Sequence, residues 1–255
     1  MGGTLVIEGL RKVWPDGTVA LDTVSLTVAP GERVAILGGS GAGKSTLLRC
    51  ACRLVEPTAG RIRIGTLDLS AARGRELRRA RSRVGFVFQQ FNLVRSLTAI
   101  QNVLLGRLSH VSPVRGLLGW FERADRELAL RCLDDVGMSA KADAPVRELS
   151  GGQQQRVAIA RVFAQRPDAV FADEPTASLD PSLAETVLAQ LRDYGGARSV
   201  PVLMNMHTID HARRFADRVV GLRAGRLVFD GPATTLDDTD IERIYGSREH
   251  ATASA

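Results

Sequence analysis

The chain has 255 residues, 44% hydrophobic and 24% charged, enough for one large domain or two lobes sharing a core at the ordinary composition of a soluble globular protein. No apolar run approaches the ~20 residues that span a bilayer. The opening Met1-Gly2-Gly3-Thr4-Leu5-Val6 lacks the basic flank and apolar core of a signal peptide, and Val6 stands where a myristoylation signal needs Ser or Thr, so a cytoplasmic protein with any membrane link through a partner is expected. The net charge of +6 and pI near 9.9 permit anionic partners, but the arginines are spread out, with one cluster at Arg73 to Arg83 and no nucleic-acid-binding signature; solvated helix faces are the preferred reading and no nucleic-acid partner is expected.

Thr4 to Ile7 reads as a first strand, and the next segment turns at Pro15-Asp16-Gly17. Trp14 reads equally well as a core aromatic or as a platform for an adenine ring. Val19 to Val28 alternates as a second strand, and Pro30-Gly31 turns into the apolar run Val34-Ala35-Ile36-Leu37. Gly38-Gly39-Ser40-Gly41-Ala42-Gly43-Lys44-Ser45-Thr46 follows, ahead of the helical Leu47 to Cys52. Strand, glycine loop and helix are the context of a phosphate-binding P-loop. The glycines let successive N–H groups point at a phosphate chain, and the helix adds its positive dipole end. Lys44 can reach the phosphates and the Ser45 hydroxyl can ligate Mg²⁺.

Beyond Pro57 to Gly60, Arg61 to Ile64 alternates as an edge strand, and Val84 to Phe88 is another apolar strand. Gln89 follows that strand's carboxyl end, where ligands bind in such folds; it could coordinate a metal or position water, though alone it is only a polar loop residue. Thr98 to Leu105 is helical, Ser109 to Gly119 reads as a loop, and Arg123 to Val136 is amphipathic. Residues 92–160 therefore form a helical lobe inserted between core strands. Leu149-Ser150-Gly151-Gly152-Gln153 has a capping Ser. The cap does not require the two glycines behind it, and bare N–H groups there make a second anion site.

Ala169 to Ala172 is a buried strand ending in Asp173-Glu174, two carboxylates that need cations or water. Asp173 can hold Mg²⁺ and Glu174 is placed to polarise a water. Ser178-Leu179-Asp180-Pro181 turns into the next helix, and Val200 to Met204 is a strand with His207 beyond it. A lone His is more often structural, but this one shares the edge of the other candidates. Strands at Val219 to Leu222 and Leu227 to Phe229, a short helical tail to Gly246 and a frayed end at 247–255 complete the chain. Cys50, Cys52 and Cys132 form no metal or disulfide framework.

P-loop, loop glutamine, Leu-Ser-Gly-Gly-Gln, Asp-Glu, Ser-Leu-Asp and a late His stand in one order, and over about residues 4–246 the chain resembles the ATP-binding subunit of an ABC transporter. The resemblance implies a single α/β P-loop NTPase domain (1–246). It would have a RecA-like core (1–91 and 161–246), a small antiparallel β subdomain and an inserted α-helical subdomain (about 92–160). It implies that Trp14 stacks on adenine and that Gly38 to Thr46 is the Walker A loop. Gln89 senses Mg²⁺ and links to the membrane subunit, and Ser150, Gly151, Gly152 and Gln153 contact ATP held by the other protomer. Asp173 and Glu174 form the Walker B pair, Asp180 lies in the dimer-facing D-loop and His207 contacts the γ-phosphate. The implied cofactors are ATP and Mg²⁺. The implied partners are a second copy, integral-membrane permease subunits and, indirectly, a solute-binding protein, at the cytoplasmic face of the cell membrane.

Phe88 to Val94, Asn102 to Leu108, Trp120-Phe121, Ser150 to Arg156, Phe229 to Pro232 and Ile244-Tyr245-Gly246 resemble the phosphonate-importer ATPases, with phosphite and phosphate importers related. Gly39 in place of a common Pro, and Met204-Asn205-Met206 before His207, depart from that pattern without touching an essential group. Because this subunit never contacts the solute, an importer for another small solute such as an amino acid is the alternative. A soluble ABC protein of translation or repair fits less well, since the chain has one P-loop and a short insertion. A P-loop kinase would need neither the signature nor the His, and an exporter would often carry fused membrane spans.

Overall fold

The computed structural model describes residues 2–177 and 179–246; the expected frayed end at 247–255 and Ser178 of the Ser-Leu-Asp turn lie outside the described residues. The first strand runs past the expected Ile7: β1 (Leu5–Val13) pairs antiparallel with β2 (Val19–Val28) around the turn in which the Thr18 N–H donates to Asp16 Oδ1 at 3.0 Å. Central β3 (Arg33–Leu37) leads through the glycine loop into α1 (Lys44–Ala51). Strand β4 (Ala59–Ile64) and the two-residue β5 (Leu67–Asp68) complete a four-stranded sheet of order β2-β1-β4-β5. The edge position expected for Arg61 to Ile64 is thereby corrected. Gly65, at φ +55°, turns the chain back so that Leu67 and Asp68 cover β4, and β4 is interior.

The arginine cluster falls mostly on α2 (Gly74–Arg81), whose exposed face is basic, and β6 (Val84–Val87) follows. Helices α3 (Ala99–Leu105), α4 (Pro113–Leu117), α5 (Arg123–Asp135) and α6 (Gly151–Gln165) separate β6 from β7 (Ala169–Ala172) in the chain. The expectation of a loop at Ser109 to Gly119 is corrected: Ser112 caps α4 and Pro113 occupies its first turn. Beyond β7 come α7 (Pro181–Arg198), β8 (Val202–Asn205), α8 (Ile209–Phe215), β9 (Arg218–Arg223), β10 (Arg226–Pro232) and α9 (Asp238–Tyr245).

The second sheet has the order β10-β9-β3-β8-β7-β6, parallel except for the β9–β10 hairpin. Strands β6, β7 and β8 are buried at every residue because helices or the other sheet cover both faces, which is why they read as unbroken apolar runs. Alternation on β3 sends Ala35 and Leu37 into a core with the helices of the insertion and α7, and Val34 and Ile36 into a core with α1 and the four-stranded sheet. The register aligns Ala35 with Met204 and Met204 with Ala172, so β3, β8 and β7 end level. Their carboxyl ends carry the glycine loop, His207 and Asp173-Glu174 to one edge, the place where open α/β sheets bind ligands.

Candidate active site

The glycine loop walls a cleft of about 700 Å³ that is also lined by Trp14, Val19, Glu174, His207 and Tyr245. The loop geometry demands glycine at two positions in particular. Gly38 has φ +155° and a side-chain carbon there would lie 2.2 Å from the Leu222 carbonyl oxygen; Gly43 has φ +102° and its Cβ would lie 2.5 Å from the Ala20 oxygen. Lys44 opens α1 and its Nζ donates to the carbonyls of Gly38 at 2.6 Å and Gly39 at 3.0 Å, which holds the ammonium inside the loop. Trp14 is partly exposed at the cleft wall, with Lys12 Nζ 4.6 Å from its ring centroid. It is therefore not a core aromatic.

Beneath the loop, buried Asp173 is the centre of a polar cluster. Its Oδ1 accepts from Ser45 Oγ at 2.7 Å and from Asn205 Nδ2 at 2.6 Å, and its Oδ2 lies 3.2 Å from the Arg49 guanidinium. These bonds offset the cost of burying a carboxylate. The Ser45 hydroxyl and the Asp173 carboxylate supply neighbouring oxygen donors of the kind Mg²⁺ prefers. Among the described residues no group of three or more His, Cys, Asp or Glu could hold a metal, so a cation here would need phosphate oxygens as further ligands.

Glu174 has φ +51°, a left-handed conformation that a bulky L-residue seldom adopts and that costs of order 1–3 kcal/mol. The strain aims its carboxylate into the cleft, where Oε1 lies 2.6 Å from His207 Nε2. A carboxylate oriented by an imidazole, above a loop built for phosphates, is an arrangement suited to activating water.

The remaining sequence candidates lie outside this cleft. Gln89 is exposed in the turn after β6. Ser150 caps α6: its Oγ accepts from the Gln153 N–H at 3.3 Å while Gln153 Oε1 accepts from the Ser150 N–H at 3.0 Å, a capping box. Gly151 is exposed there and Gly152 lies against Leu183 of α7. Asp180 caps α7 through the Leu183 N–H at 3.0 Å.

Several residues that bear on the site carried no sequence signal. Arg49 and Asn205 grip Asp173. The expectation that the Met204-Asn205-Met206 departure touches no essential group is therefore corrected: β8 runs beside β7 and brings the Asn205 amide to the Asp173 carboxylate. Tyr245 of α9 lines the cleft. Two contacts from α6 reach the site loops. Gln155 Nε2 donates to the Pro175 carbonyl at 2.8 Å, directly after Glu174. Arg161 donates to the carbonyls of Asn92 at 2.6 Å and Phe91 at 3.1 Å, in the loop that follows Gln89, and burial lowers its pKa from the usual guanidinium value.

A sequence profile described as ABC transporter matches residues 21–177. The chain belongs to the ABC transporter family. A phosphonates import ATP-binding protein of Bordetella parapertussis is 46% identical over 250 residues, 96% of this chain and 98% of that one. One from Halalkalibacterium halodurans is 44% identical over 241 residues, 94% and 99% of the two chains. Among solved structures, a dimeric bacterial ABC transporter cassette superposes with a TM-score of 0.80 at 34% identity, over 90% of this chain and 98% of the cassette. A dimeric post-hydrolysis cassette bound to ADP and Pi gives 0.79 at the same identity and coverage. The ABC ATPase fold expected from the motifs is thus the fold of the family, with its antiparallel sheet and helical parts.

Proposed function

We propose that the chain is the ATP-hydrolysing subunit of an importer for phosphonate or a related phosphorus oxyanion. One observation carries the solute class: relatives named as phosphonates import ATP-binding proteins are 44–47% identical over at least 94% of this chain, well beyond the nucleotide motifs. Deleting the gene should abolish growth on a phosphonate as sole phosphorus source. Normal uptake of phosphonate, phosphite and phosphate with loss of an amino acid or a sugar would assign it to another importer.

In this reading the loop from Gly38 to Thr46 cradles the phosphates of ATP, Lys44 neutralises their charge and Trp14 stacks on the adenine. Ser45 and Asp173 would hold Mg²⁺, which would supply positive charge against the phosphates. Glu174 takes the proton of the attacking water, and His207 orients Glu174 and meets the γ-phosphate. Gln89, in the turn ahead of a loop that Arg161 anchors, would add an amide oxygen to the metal and link to the membrane subunit. In this division, a core (1–91 and 161–246) carries a helical insertion (92–160) whose α3 and α5 pack on α6, and α6 runs on across the boundary to Gln165.

A second copy supplies Ser150 to Gln153 to the ATP held here, and Asp180 lies at that junction. The position of the signature outside its own cleft supports this, as does the dimeric state of the similar cassettes. Two ATP molecules would then join the copies, and their cleavage would release them. Among the described residues no helix is long and apolar enough to cross a membrane. Permease subunits therefore hold the pair at the cytoplasmic face, and a solute-binding protein delivers the cargo. Light scattering tests the assembly: the isolated chain should be monomeric without nucleotide and dimeric with ATP when hydrolysis is blocked.

A further inference from the structure

Strand β8 is buried at every position, and Asn205, its last residue, is its only polar one. A strand enclosed on both faces is otherwise apolar, because a buried amide lowers stability unless its donors and acceptor are matched. Asn205 is matched on one side only. Its Nδ2 donates to Asp173 Oδ1 at 2.6 Å, while its Oδ1 is buried with no hydrogen-bond partner among the described residues. An apolar side chain of similar size would avoid that orphan oxygen, so packing does not account for the amide.

The sheet register does account for it. Val170, Phe171 and Ala172 of β7 lie beside Val202, Leu203 and Met204 of β8, so the next residues along the two parallel strands are Asp173 and Asn205. The amide can face the carboxylate in one sense only. Turned over, its carbonyl oxygen would stand against Asp173 Oδ1, acceptor against acceptor.

Asp173 has two other partners: Ser45 Oγ donates to the same Oδ1 at 2.7 Å, and Arg49 lies 3.2 Å from Oδ2. Both come from α1, the helix that the glycine loop leads into. Of the three, only Asn205 belongs to the sheet, the more rigid support for a site. Two residues further on, the same chain segment brings His207 to Glu174. The end of β8 thus serves both adjacent carboxylates.

We infer that Asn205 is a positioning residue for the metal site: by holding Asp173 Oδ1 it fixes the carboxylate in the orientation that meets Ser45, and so sets the affinity for a divalent cation. The inference rests on the proposed function, which places Mg²⁺ at Ser45 and Asp173. Asn205 itself does not need to touch the cation. Hydrogen bonds that orient a ligand from behind typically change metal affinity about 10–100-fold.

The test titrates Mn²⁺, followed by electron paramagnetic resonance, into the full chain loaded with a non-hydrolysable ATP analogue. Asn205→Leu should weaken Mn²⁺ binding at least ~10-fold. Its affinity for the analogue in EDTA should equal the parent's. Its thermal midpoint should stay close to the parent's, because the lost bond and the removed orphan oxygen offset each other. Asn205→Ser, whose hydroxyl falls short of Asp173, is the second variant and should show the same loss of Mn²⁺ binding if Asn205→Leu fails to fold. Undiminished Mn²⁺ binding in either folded variant overturns the inference. So does an equal loss of analogue affinity with Mn²⁺ and in EDTA, which would make Asn205 a packing residue of the cleft. A parent chain that binds neither the analogue nor Mn²⁺ overturns the proposed function itself, on which the inference rests.

Discussion

The cleft and the N-terminus of α6 are both arrangements of glycines and backbone N–H groups, yet they are finished differently. In the cleft, one protomer brings together Lys44, Ser45, Asp173, Glu174 and His207 from the ends of three strands: Lys44 donates to the loop carbonyls, Ser45 to Asp173, and Glu174 meets His207. At α6, Ser150 and Gln153 close a capping box and Gly151 faces solvent, and none of the three lines the cleft. The first region can bind and polarise; the second can only receive. If the receiving half acts on a phosphate that another copy holds, as proposed above, a site divided in this way would make hydrolysis depend on assembly.

Breaking the cleft at its base should give the largest effect. Glu174→Gln keeps size and hydrogen-bonding capacity but removes the charge that draws a proton from water. Hydrolysis should fall at least ~10²-fold while MgATP binding stays near normal, the low end of what a positioned base contributes. The ATP-joined dimer should then persist in light scattering. Wild-type turnover in the assembled transporter would move the base role to His207 or to the substrate.

Lys44→Ala should fail earlier, in binding. Losing hydrogen bonds between an ammonium and phosphate corresponds to about 1.5–3 kcal/mol, roughly 10–150-fold in affinity. Equilibrium titration with a fluorescent ATP analogue would show it; an unchanged Kd would mean that the loop N–H groups carry the phosphates without the lysine. Trp14→Ala should cost less, about 1–2 kcal/mol, on the scale of aromatic stacking. The Trp120→Phe background isolates its fluorescence, which should change on ATP binding. Affinity unchanged in Trp14→Ala would leave Trp14 with no role in recognising the base.

The cleft was largely legible in the sequence because its parts are short motifs at the ends of buried strands, and buried parallel strands are unbroken apolar runs. Val34 to Leu37 before the glycine loop and Ala169 to Ala172 before Asp173 show this directly. What was not legible lies in contacts between distant residues. Asn205 meets Asp173 across 32 positions and Arg161 meets Phe91 across 70, and neither pairing leaves a local pattern. Tyr245 reaches the cleft only because Ile244 of α9 packs on Gly221 of β9. β4 reads as an edge in the sequence because the two residues of β5 are too few to show a period, and the Gly, Ser and Pro around α4 mask it although Ser112-Pro113 is a helix start.

The smallest expected effect tests the receiving half most sharply, because two substitutions at one residue separate its two roles. Ser150→Ala removes the cap on the Gln153 N–H and should lower stability by about 1 kcal/mol, visible in thermal unfolding. Ser150→Asp keeps the cap, since Asp caps as well as Ser does, so stability should be held. It also puts a negative charge where the other copy's γ-phosphate must approach, and like charges repel at that distance. An isolated Ser150→Asp protomer should therefore bind ATP normally, with an intact cleft, and yet fail to dimerise or to hydrolyse. If the serine is only a helix cap, the order reverses: Ser150→Ala is the weaker protein and Ser150→Asp dimerises and turns over like the parent. That second result would remove the signature from the site and leave the cleft to work alone.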